Sequence, residues 1–63
     1  MKILFVKERE TKGAVRYQEV TESGDSPNGS HRIGTLYFRK TAFITDGKLQ
    51  VPDKIEVLVT TLD

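Results

Sequence analysis

Apolar residues in this chain recur at every second position. Leu36 and Phe38 do so in the middle, Val15 and Tyr17 before them, and Ile55, Val57 and Val59 after them. Nowhere is helical spacing held over the roughly eleven residues that an amphipathic helix needs. Side chains leave a strand on alternate faces, so this period buries one face of a sheet and gives the other to water. The chain is therefore predicted to be all-β: a small, mostly antiparallel barrel or sandwich of four to six short strands.

The strands follow from that period and from the turn residues between them. Residues 1–8 form the first, where Ile3, Leu4, Phe5 and Val6 stand in succession and suit a strand covered on both faces. Glu8–Gly13 is charged, ends in glycine and reads as a hairpin loop. Residues 14–20 form the second strand and 33–40 the third, in which Gly34 suggests a bulge or a close backbone approach. Asp46-Gly47 between β-prone flanks predicts a short hairpin over 43–51, with one helical turn at Thr41–Ile44 as the competing form. Val51-Pro52-Asp53 breaks the chain before a last strand over 54–61. The expected core is Ile3, Phe5, Val15, Leu36, Phe38, Ile55, Val57 and Val59.

Between the second and third strands lies a stretch of loop composition, 21–32, expected to be flexible. Ser26-Pro27-Asn28-Gly29 within it suits a type I turn. Sixty-three residues make a single domain, 1–63, and one of this size buries only about 60% of its unfolded surface. There is no cysteine to staple it and only one histidine, which argues against a structural zinc site. Self-association, as a homodimer, is the remaining way to enlarge the core. The lack of cysteine also fits a cytoplasmic location. No apolar run approaches a membrane span, so no membrane association is expected.

Catalysis is poorly provided for. His31 is the only histidine, and its immediate neighbour Ser30 is badly placed to act with it as a nucleophile. The glycines are scattered as turn punctuation rather than gathered into a phosphate loop. No acidic residues stand at ligand spacing. The chain is expected to be non-catalytic, with no cofactor and no metal.

The residues that suggest a function lie on the polar face of the third strand. Tyr37 and Arg39, two apart, project a ring and a guanidinium to one side, and Arg16 and Tyr17 lie on the neighbouring strand. Lys12 and Lys40 stand near strand ends. Single-stranded nucleic-acid binders use such a surface: bases stack on rings and cations meet phosphates. Although the net charge is only +1, residues 1–20 and 33–48 each carry +2. The predicted nucleic-acid-binding set is thus Arg16, Tyr17, Tyr37, Arg39, Lys40 and Lys12. Aromatic and arginine residues also enrich protein interfaces, so a protein–protein or self-associating adaptor domain is the alternative.

Overall fold

The structure is a computed structural model that describes all residues, Met1–Asp63. Strands β1 (Lys2–Glu10), β2 (Ala14–Val20), β3 (Thr35–Arg39) and β6 (Lys54–Leu58) form one antiparallel sheet in the order β3-β2-β1-β6. The sheet curls into a half-barrel. A single 3-10 turn (Lys40–Phe43) leads to a two-stranded hairpin of β4 (Ile44–Thr45) and β5 (Lys48–Leu49). The segment from Lys40 to Asp53 thereby carries the chain from one edge of the sheet to the other. No helix is long and apolar enough to cross a membrane.

The period-two pattern decides which face is buried. Ile3 and Phe5 on β1 and Val15 and Tyr17 on β2 form the fully buried core. Leu36 and Phe38 flank them from β3, and Ile55 and Val57 from β6. Phe43 and Val51 close over them from the crossing segment. Tyr17 sits at the centre. Its ring meets Phe38 edge-on at 5.6 Å and Phe43 at 6.0 Å. Its hydroxyl donates to the Pro52 carbonyl at 2.7 Å. Burial pushes this phenol above its ordinary pKa.

Several expectations need correction. β1 does not stop at 8 but runs to Glu10, because a bulge after Lys7 lets Arg9 and Glu10 go on pairing with Arg16 and Val15. The third strand is shorter than 33–40. Gly34 has φ +95°, and the chain enters the 3-10 turn at Lys40. The last strand ends at Leu58 rather than 61: its strand register with β1 runs from Lys54 to Leu58, and beyond it only Val59 is still bonded, to Met1. Val59 is consequently not core: it is 40% exposed. In the hairpin, both competing forms occur in sequence. A helical turn comes first, then a tight turn with Asp46 at φ 53° and Gly47 at φ 76°, the paired positive angles of a type I′ turn. The proline-containing turn is displaced by one residue. Ser30 donates to the Pro27 carbonyl, with Asn28 and Gly29 both at positive φ between them.

Phe5 is 1% exposed, and it is one of only four apolar residues buried in full. Phe5→Ala removes about 3–5 kcal/mol, and a core of this size supplies no more than roughly that amount. Far-UV circular dichroism at 25 °C should show this variant largely unfolded. Tyr17→Phe keeps the ring and loses only the bond to Pro52, so urea titration should show a loss of about 0.5–1.5 kcal/mol.

Candidate nucleic-acid interface

The outer face of β1, β2 and β3 brings three of the six predicted residues together. Strand register sets Arg16 directly opposite Tyr37, and Arg39 opposite Ala14 one row further along. The Arg16 guanidinium carbon lies 5.8 Å from the centroid of the Tyr37 ring, a cation–π distance. Tyr37 is 64% exposed although it lies within a strand. Lys12 is exposed in the turn that joins β1 to β2, at the end of the sheet nearest Arg39.

Two predicted residues belong elsewhere. Tyr17 is fully buried in the core and has no surface to offer a ligand. The alternation of β2 puts it with Val15, on the face opposite Arg16. Lys40 reaches toward the core side of the sheet, where its ammonium lies 3.4 Å from Glu10 Oε1. Glu10 Oε2 also accepts from Lys7 at 3.1 Å, and Lys7 lies 3.2 Å from Asp53. This chain of charges ties β1 to the end of β3 and to the segment before β6. Hydrogen bonding to Lys7, and then to Lys40, holds the Glu10 carboxyl below the usual carboxylate range. Glu10 and then Asp53 raise Lys7 in return.

Sequence reasoning missed two residues of the outer face. Arg9 stands opposite Arg16 in the register, so one row across the three strands runs Arg9, Arg16, Tyr37, with Arg39 two residues along β3 from the ring. Glu8, the bulged residue, sets its Oε1 2.8 Å from Arg16 Nε. The N–H there is not aimed along that line, and Arg16 Nε has no hydrogen-bond partner. The contact is therefore Coulombic, and it places one carboxylate among the cations. The signal was present in Glu8-Arg9-Glu10, whose strict charge alternation is strand-like. Gly13 drew the whole stretch into a loop reading.

Glu19 was also missed. It is 6% exposed and lies on the core face at the end of β2. Its carboxylate accepts the backbone N–H groups of Arg32, Ile33 and Gly34 at 2.9, 2.8 and 2.9 Å. The loop from Thr21 to Gly34 is thus pinned at its far end. At its near end Thr21 and Asp25 close a turn, with Thr21 N–H donating to the Asp25 carbonyl at 2.8 Å. The largest recess, about 280 Å³, lies under this loop and away from Tyr37. Lys2, Arg32, Glu19 and Glu22 line it together, so it carries both signs of charge.

The chain shows no similarity to a known protein: it matches no known family model, no curated protein and no solved structure. The reading of this surface rests on its own chemistry.

The clamp at Glu19 has a definite acid limit. The Ile33 N–H holds the Glu19 carboxyl below its ordinary value, burial opposes, and Gly34 and Arg32 add to the lowering. A depressed carboxyl stabilises the fold above its unfolded value, about pH 4.3. That contribution is lost as the pH falls through the folded value. The amide resonances of Arg32, Ile33 and Gly34 should titrate together with a midpoint below the ordinary glutamate range. In Glu19→Gln that common titration should vanish.

Proposed function

We propose that this protein is a non-catalytic module that binds single-stranded nucleic acid on the outer face of β1, β2 and β3. One observation carries the reading: an exposed ring, Tyr37, lies beside Arg16 and Arg39 on the outer strand surface, with Arg9 beyond Arg16 in the same row. A base stacks on such a ring for about 1–3 kcal/mol whatever its identity, and the guanidiniums meet the phosphates on either side. Arg16 lies over the ring and leaves its other face to a base. Lys12 extends the cationic surface toward the turn. Such a ligand implies a cytoplasmic location, which a chain without cysteine suits.

Glu8 sets the limits of this surface. It neutralises part of Arg16 and repels a phosphate approaching the same guanidinium. Affinity is accordingly modest and salt-sensitive. Two or three phosphates neutralised on single-stranded nucleic acid give a slope of log affinity against log salt of roughly −2.

Fluorescence anisotropy with a labelled mixed-sequence 12-nucleotide DNA, at about 50 and about 200 mM salt, tests the reading. Tyr37→Ala should weaken binding by about 5-fold to 150-fold, and Tyr37→Phe should retain most of it. Arg16→Ala with Arg39→Ala should abolish it and flatten the salt slope, with circular dichroism unchanged. Glu8→Gln should bind several-fold more tightly. Binding that is absent at low salt, or indifferent to Tyr37, would sink the proposal.

A further inference from the structure

The molecule has more surface than its mass requires. A compact monomer of 7.1 kDa exposes about 4,100 Å², and this one exposes 4975 Å². The excess, about 900 Å², is close to the roughly 800 Å² that each partner contributes to a standard interface. The shape agrees. The radius of gyration is 12.7 Å against about 11 Å for a compact chain of this length, and the thinnest dimension is 17 Å.

The free edge of β6 is where a partner fits. Its odd-numbered residues bond to β1: Lys7 N–H donates to the Asp53 carbonyl at 2.7 Å and Val59 N–H to the Met1 carbonyl at 2.8 Å. Alternation in an antiparallel ladder then turns the N–H and C=O groups of Lys54, Glu56 and Leu58 outward, where no strand receives them. Beyond Leu58 the chain continues as Val59-Thr60-Thr61-Leu62, β-favouring residues with no turn former among them. Leu58 is 66% exposed and Val59 40%. The other free edge is less suited. β3 has the same five-residue length but is closed at both ends, with Gly34 at positive φ before it and the 3-10 turn directly after it.

We infer that a second copy of this chain occupies the edge, with β6 paired to β6 in antiparallel fashion about a twofold axis at Val57. This register is self-complementary. On the core face Ile55, Val57 and Val59 oppose Val59, Val57 and Ile55 of the copy. On the outer face Glu56 opposes Leu58, and Lys54 opposes Thr60. A twofold at Glu56 would instead set two carboxylates opposite one another, which is destabilising. The two four-stranded sheets become one of eight strands, and the exposed Val59 gains a covered position. The seam is at the opposite edge from Tyr37, so this inference stands or falls separately from nucleic-acid binding.

Two variants test it. The Glu56 N–H makes no bond within the protomer, so Glu56→Pro spares the fold and removes a donor from the seam. Sedimentation velocity of the wild-type chain should show dimer forming with rising concentration. Glu56→Pro should weaken the dimer at least tenfold. The chain has no cysteine, so Val57→Cys introduces a single thiol. At a non-hydrogen-bonded antiparallel pair the two Cα atoms lie about 4.5 Å apart, within the range that a disulfide spans. Oxidised glutathione should then cross-link Val57→Cys into a covalent dimer, and Tyr37→Cys, on the other edge, should remain monomeric. A wild-type chain that stays monomeric at about 1 mM overturns the inference. So does a dimer in which Val57→Cys fails to cross-link while Tyr37→Cys succeeds.

Discussion

One buried phenol joins the two parts of this structure. Tyr17 projects from β2 into the core, packs its ring against Phe38 and Phe43, and donates its hydroxyl to Pro52. The sheet alone has one apolar face and no second layer. What supplies a cover is the segment from Lys40 to Asp53, and Tyr17 is the residue that holds it down. The Lys7–Glu10–Lys40 and Lys7–Asp53 contacts fasten the same segment at its rim. These rim pairs are partly solvated and contribute little by themselves. Apolar packing around Tyr17 does the larger share, and the charges fix where the segment lies.

A polar partner for that hydroxyl was not legible in the sequence. Alternation correctly put Tyr17 on a face with Val15, and the same ring beside Arg16 suggested a ligand surface. Both readings cannot hold for one side chain. A sequence shows which face a residue shares, but not which face a distant segment will cover. Phe43 and Val51 were missed as core for that reason, since they belong to the covering segment and not to a periodic strand. The regular strands were legible, because Ile3, Phe5, Val15, Leu36, Phe38, Ile55 and Val57 repeat at a spacing that only a sheet satisfies. Their ends were not. β1 outruns its expected limit through a bulge, and β3 falls short because the backbone at Ile33 and Gly34 is claimed by Glu19. Side-chain-to-backbone bonds across more than ten residues leave no local mark in a sequence.

Placing the core on one face has a direct consequence for the other. The outer face is apolar only toward its far end, where Leu4, Val6 and Val20 are half-buried, so near the β1–β2 turn it is free to carry Arg9, Arg16, Arg39 and Tyr37. None of these four side chains is needed to close the core. Such a concentration of guanidiniums about an exposed ring raises the self-repulsion of the folded state, and Glu8 relieves only part of it. Under the proposed function, an anion with flat, stackable groups lying across this face would offset that repulsion. The bulge belongs to the same logic. By inserting one residue after Lys7 it brings Arg9 opposite Arg16, and it keeps Glu10 on the core side to bind Lys7 and Lys40. Without the bulge the two faces would exchange these residues. Arg9 would then take the place of Glu10 beside the two lysines, and the rim that holds the covering segment would repel itself.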